Sequence, residues 1–285
     1  MVETCYSRRG ALTLGLSAAA ALSCPARSWA SVGPAITSTD GSFDRLKSAG
    51  VLTFGTSNDQ PFDFLDPTTG KIEGIDAEML LAMLGKLGIP KHTAIQVDFD
   101  GLIGSLVGGR IEMIADAMYI TDERKKVISF SDGWYQYGET LLVKKGNPAN
   151  LHSLKDLSNG VKAGATLGTV YLDWLNAIPG AKVSSYPDDA SVMQDLAIGR
   201  TQAVLLDAPV AGYAMRTNPK YAAEFEMVSD YTPKEIGVIG SGFRQSDVAL
   251  LQAFNWALAE IKKDGTDLKI LQSWGLSAIN RVPVA

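Results

Sequence analysis

Cysteine is nearly missing from this chain: there are two, Cys5 and Cys24, and both fall within the first 24 residues. Beyond that stretch no disulfide, cysteine metal site or thiol nucleophile can form. Histidine is equally scarce, with only His92 and His152, both placed in polar connecting segments and far apart in sequence. That spacing gives no histidine metal site and no nucleophile–base pair. A long apolar run is also lacking. The longest, Ala11–Leu22, falls short of the roughly 20 residues that span a bilayer. Positive charge is in deficit, at 26 basic against 31 acidic residues, which argues against nucleic-acid binding.

What is present is ample core material: 46% hydrophobic residues in 285, enough for one large domain or two lobes. The first thirty residues stand apart. Arg8-Arg9 precedes the apolar run, and Ser28-Trp29-Ala30 is a small-x-small cleavage site, the pattern of an export signal over residues 1–30. The paired arginines suit the twin-arginine route, although the run also fits general secretion. Cys24 in Ala-Leu-Ser-Cys is a weaker lipid-attachment candidate, because Ala21 stands where a larger aliphatic is preferred. Cleavage would remove one glutamate and three arginines, taking the net charge from −5 to −7.

The remaining chain alternates strand and helix. Val51 to Gly55 reads as a buried strand, and Ala77, Leu80, Leu81, Leu84 and Leu87 recur at helical spacing. Ile95–Phe99 reads as a second strand, Asp100 as the cap of a helix carrying Leu102 and Leu106, and Ile111–Met118 as a third strand. Near Gly138–Asn147 an extended run is broken by Gly146-Asn147-Pro148, marking a crossover into a second lobe with the same logic. In it, strands are expected at Val161–Ala165, Lys182–Ser185 and Ala203–Leu206, with helices between them. Gly237–Phe243 reads as a return crossover, after which helices at Asp247–Lys262 and Thr266–Ser273 pack on the first lobe. The expectation is an α/β chain with a mainly parallel sheet in each lobe: residues 31–142 and 237–285 in the first, 143–236 in the second.

Three features stand at strand ends or helix starts. Thr121 offers a helix N-cap and Arg124 lies in the first turn beside free backbone N–H groups, a setting for a carboxylate. Gly168-Thr169 forms a tight loop, and Asp207 ends a strand and suits an ammonium. Taken singly, Arg124 also fits a solvated surface pair and Asp207 a plain helix cap. Taken together they describe a clamp for a zwitterion.

An ordered set of motifs here resembles the family 3 extracellular solute-binding proteins, the periplasmic receptors of polar amino-acid ABC importers. It comprises Gly55…Pro61-Phe62, Gly70-Lys71-Ile72-Glu73-Gly74-Ile75-Asp76, Phe99-Asp100-Gly101-Leu102-Ile103 and Ile120-Thr121-Asp122-Glu123-Arg124…Phe130-Ser131-Asp132. Leu167-Gly168-Thr169, Leu206-Asp207-Ala208-Pro209-Val210 and Asp264-Gly265…Trp274-Gly275 complete it, so the likeness covers nearly all of the mature chain. The resemblance implies the two-lobed type II periplasmic binding protein fold, with two crossover hinges that close over a ligand and present the closed form to a membrane permease. It implies Arg124 on the ligand α-carboxylate, donors from Gly168 and Thr169, Asp207 on the α-ammonium, and Phe62 and Phe99 lining the side-chain pocket. The strand end Asp116, Ala117, Met118 and Tyr119, with Thr121, is expected to complete the site.

This chain departs from the pattern at several positions. Tyr119 replaces a small Ser or Thr, and Val170 stands where a second hydroxyl is common. Asp59 and Asp116 are expected to make the side-chain end acidic, favouring a cation: a basic amino acid, an opine-like derivative or a cyclic amidinium zwitterion; the alternative is that Asp59 caps a turn and Asp116 pairs with a neighbouring Lys or Arg. The expected protein is a periplasmic monomer that binds no nucleic acid, needs neither cofactor nor metal, and is not an enzyme. The alternatives are a cyclohexadienyl dehydratase-like enzyme, for which Asp59, Asp116 or Glu139 could serve as the acid, and a soluble sensor for a membrane receptor.

Overall fold

A computed structural model describes residues 33–283; the export-signal and lipidation expectations, including Cys5 and Cys24, lie outside the described residues. Two sheets organise the chain. In the first, the buried strand Val51–Thr56 pairs in parallel with Lys91–Gln96 on one side and Met113–Ile114 on the other. The late strand Gly242–Phe243 then joins Met113–Ile114 antiparallel and carries Ser129–Phe130 at the edge. In the second, Lys162–Thr166 lies between Lys182–Tyr186 and Ala203–Asp207, all parallel. The long strand Gln136–Lys144 runs antiparallel to Ala203–Asp207 and also pairs with Phe225–Met227 and Ile236–Val238. Each parallel core is thus extended by antiparallel strands, and both carry helices, the two-lobed architecture expected.

Helix Val248–Lys263 packs against helices Ser42–Ala49 and Ile75–Leu87, so the chain's last long helix covers the first sheet. Its buried face, Ala249, Leu250, Ala253, Phe254, Ala257, Leu258 and Ile261, keeps helical spacing and removes a continuous apolar stripe from water. The crossing segments run side by side: Trp134 N–H donates to the Ile239 carbonyl at 2.7 Å and Ile239 N–H to that of Tyr135 at 2.8 Å.

Several local expectations change. The second strand is Lys91–Gln96, not 95–99, and His92 lies inside it; this edge strand is largely exposed, so its residues show no apolar alternation. Phe99 opens a short 3₁₀ turn whose cap position is Asp98 rather than Asp100. The third strand shrinks to Met113–Ile114, because Ala117 turns to φ 44° and its N–H donates to the buried Asp76 carboxylate at 2.6 Å. A ladder cannot continue through a residue turned away from it. Residues 136–142, expected in the first lobe, pair within the second sheet as part of Gln136–Lys144.

Candidate functional site

Loops leaving the carboxyl ends of the central strands meet around a cavity of about 410 Å³. That is where open α/β sheets place ligands, and the volume suits a small molecule. Asp59 comes from the turn after Val51–Thr56, Asp116 and Tyr119 from the segment after Met113–Ile114, and Thr169 and Tyr171 from the turn and helix after Lys162–Thr166. Asp189 follows Lys182–Tyr186, and Asp207 ends its own strand.

Arg124 stands at one end. Thr121 caps its short helix by accepting the Arg124 backbone N–H at 3.2 Å, which fixes the side chain's starting point. The guanidinium then donates to the Tyr119 carbonyl at 2.8 Å and, across the cleft, to the Gly168 carbonyl at 2.9 Å, with the Phe99 ring 5.5 Å away. Two of its five donors are engaged in this way, and burial lowers its pKa without discharging it. The remaining donors face a cavity that a carboxylate could enter. The lobes touch at this point: Gly168 has φ 78°, and a Cβ there would stand 2.7 Å from the Asp100 Cα. Only glycine permits that approach.

A tyrosine layer forms one wall. Tyr119, 5% exposed, donates its hydroxyl to the Tyr137 carbonyl at 3.0 Å. The Tyr171 hydroxyl stands 2.9 Å from it while donating to the Asp207 carboxylate. Gly237 makes room for the Tyr119 ring, since a Cβ on it would lie 2.2 Å from the ring edge.

The other end is acidic. Asp59, Asp116, Asp188, Asp189 and Asp207 line the cavity against Arg124 as the one basic lining residue among the described residues, so an anionic ligand would meet mainly repulsion. Burial, then the Asp189, Asp116 and Asp207 charges, raises the Asp59 carboxyl well above its usual range. Burial and the neighbouring Asp189 push Asp207 up to about 8. Asp116, 3% exposed, is pushed by burial to about 7, and its Oδ2 has no hydrogen-bond partner among the described residues. Asp59, Asp189 and Asp207 place one carboxylate oxygen each within 4.8 Å of one another, an all-oxygen set that suits an ammonium, a guanidinium or a hard metal ion.

Of the expected site residues, Asp59, Phe99, Asp116, Ala117, Tyr119, Arg124, Thr169 and Asp207 line the cavity together. Four stand behind it. Phe62 is 1% exposed and stacks under Tyr137 at 5.3 Å, because Tyr119 and Tyr137 fill the space in front. Met118 belongs to the core with Leu102, Leu106 and Ile111. The Thr121 hydroxyl oxygen is engaged in capping, and the Gly168 carbonyl accepts from Arg124. The Thr169 hydroxyl donates back to the Thr166 carbonyl at 2.7 Å. Sequence reasoning missed Tyr171 and Asp189. The strand-end rule that selected Asp207, applied to the strand ending at Tyr186, selects Asp188 and Asp189. Tyr171 had no signal beyond its place in a helix.

Residues 52–277 match the family described as bacterial extracellular solute-binding proteins, family 3. The chain belongs to that family. Among relatives, the L-cystine-binding protein TcyJ of Escherichia coli (strain K12) is 33% identical over 237 residues, covering 82% of this chain and 86% of that protein. An ancestral arginine-binding protein solved with bound arginine is 36% identical with a TM-score of 0.72, covering 79% of this chain and 98% of that one. The ancestral amino acid-binding protein AncCDT-1, a precursor of cyclohexadienyl dehydratase, is 33% identical with a TM-score of 0.71, covering 81% and 98%. As a family member, the chain has the role of the solute-binding component of an importer. Among the described residues, no helix is long and apolar enough to cross a membrane.

Proposed function

We propose that this solute-binding protein captures a small amino-acid zwitterion with a positively charged side chain, closes its lobes over it and hands it to a membrane permease. One observation carries the reading: a guanidinium with free donors and a group of carboxylates line the same interlobe cavity, Arg124 on one side and Asp59, Asp116, Asp189 and Asp207 opposite. An α-carboxylate pairs with Arg124, while the ligand's cationic groups neutralise the acids. Closure removes water from both contacts and strengthens them. The crossing segments near Trp134–Tyr135 and Val238–Gly240 are the hinge in this account. Residues 1–30, with Arg8-Arg9 ahead of the apolar run Ala11–Leu22, act as an export signal to the periplasm by the twin-arginine or the general secretory route, and the mature chain works there as a monomer.

Thermal shift against amino acids, opines and compatible solutes tests this reading. Cationic zwitterions should raise the melting temperature, since a ligand that binds only the folded state stabilises it. Stabilisation by acidic or aliphatic amino acids alone would contradict it. An enzymatic reading draws on the raised carboxyl pKa values of Asp116 and Asp207, which suit a general acid. Glu139 is no candidate in this geometry, because it is 1% exposed, outside the cavity lining, and holds the Tyr231 hydroxyl at 2.7 Å. Turnover of prephenate or arogenate would replace binding with catalysis; the expected result is none.

A further inference from the structure

The acidic end of the cavity is built from both lobes. Asp59 belongs to the loop after strand Val51–Thr56 of the first sheet, whereas Asp189 and Asp207 belong to the second lobe, and their oxygens converge within 4.8 Å. Ionised carboxylates at that separation repel one another, so closing the lobes over them costs either proton uptake, which the raised Asp59 and Asp207 carboxyls reflect, or a positive charge supplied by the ligand. The second-lobe members are held in place by neighbours: Thr166 donates its hydroxyl to Asp189, and Tyr171 donates to Asp207. A separate observation points to a missing partner. Asp116 lines the same cavity, is 3% exposed, and has an Oδ2 with no partner among the described residues.

The charge count sets how much the ligand must bring. Among the described residues, five aspartates line the cavity against one arginine. A ligand whose carboxylate pairs with Arg124 brings one positive charge through its α-ammonium, and that leaves the Asp59 and Asp189 side still unneutralised. Resting on the binding reading above, we propose that Asp189 and Asp59 form a cross-lobe specificity pair requiring a second cationic group on the ligand, a guanidinium or a side-chain ammonium. The planar fork of a guanidinium, with five donors, can reach carboxylates from both lobes at once. An uncharged isostere leaves the repulsion in place, and the cleft then closes poorly over it.

The test is calorimetric titration of the full mature chain with two matched pairs: L-arginine against L-citrulline, which replaces the guanidinium with a neutral urea, and L-lysine against L-norleucine. The wild type should prefer at least one cationic member over its neutral counterpart by about 100-fold or more. Asp189→Asn, which keeps size and the Thr166 contact, should shrink that ratio by about 10-fold or more. Asp59→Asn should do the same from the other lobe and serves if the first variant does not fold. A merely structural role would weaken both members of a pair equally and leave the ratio unchanged, which would overturn the proposal. So would equal binding of citrulline and arginine together with norleucine and lysine, in which case the amino-acid reading stands and the specificity pair falls. Calcium or manganese alone raising the melting temperature and competing with arginine would make the cluster a metal site and also overturn it. If no amino acid, cystine included, binds at all, the underlying binding reading fails instead.

Discussion

Ligand-free protein should lose stability as the pH rises from about 5.5 to about 7. Two buried carboxyls dictate the sign. Asp116 is 3% exposed and is pushed by burial from 3.8 to about 7; Asp76 is 1% exposed and is pushed by burial to about 6. Each holds a proton in the folded chain over a range where the unfolded chain has released it. The folded state therefore binds more protons, and the stability they contribute is full below pH 3.8 and lost as pH rises through 6 and then 7. A fully protonated carboxyl gives a slope of about 1.4 kcal/mol per pH unit. Allowing for partial titration, the pair should withdraw about 2 kcal/mol across the interval. Asp207, raised to about 8, stays protonated through the interval, and Asp63, raised well above 3.8 by burial, acts in the same direction, so both steepen the fall. Lys262 works the other way, but only above pH 8: burial lowers it from 10.5 to about 8, so its effect lies outside the interval. Urea unfolding at fixed ionic strength, read as midpoints at constant m, measures the change. Asp116→Asn should flatten part of the slope, removing about 1–2 kcal/mol of the fall across the interval. Stability that is constant or rises toward neutral pH would refute the assignment of buried, protonated acids at this site.

Other expectations follow from single contacts. Arg124→Ala should abolish binding of any carboxylate ligand, and Arg124→Lys should weaken it by about 10-fold or more because the planar fork is lost; unchanged calorimetric affinity in either variant would remove Arg124 from the site. Gly237→Ala should destabilise by about 1–3 kcal/mol, because its Cβ would stand 2.2 Å from the Tyr119 ring. In a Tyr119→Ala background the same change should be nearly neutral, and additive effects in that double-mutant cycle would show that the ring is not the obstacle. Tyr171→Phe removes the hydroxyl beside Tyr119 and Asp207 and should lower stability by about 1–2 kcal/mol in urea melts, a loss that wild-type-like midpoints would contradict.

The fold was largely legible because long helices and buried strands carry their own periodicity. Helix Val248–Lys263 and strand Val51–Thr56 lie where spacing put them, since each buries a regular apolar set. The exposed edge strand Lys91–Gln96 has no such set and was displaced in the sequence reading. Met113–Ile114 was overextended, because the break at Ala117 comes from Asp76, distant in sequence, taking its N–H. The site divides the same way. Residues at strand ends, such as Asp59, Asp116 and Asp207, could be placed by topology. Phe62 and Met118 could not, as whether an apolar side chain faces a cavity or the layer behind it depends on what fills the front. Tyr137 and Tyr119 do that in front of Phe62, while Met118 joins the core of Leu102, Leu106 and Ile111. Asp189 and Tyr171 come together with Asp207 only through packing of the second lobe, and no local pattern announces that convergence.

The central claim is that one ligand carries a carboxylate to Arg124 and positive charge to the opposing acids. Calorimetric titration of the wild-type chain with L-arginine and L-lysine, each beside its decarboxylated amine, agmatine or cadaverine, tests it most directly. One-to-one binding of an amino acid, with its amine weaker by about 100-fold or more, is the predicted result. An amine that binds as tightly as its parent amino acid would contradict it.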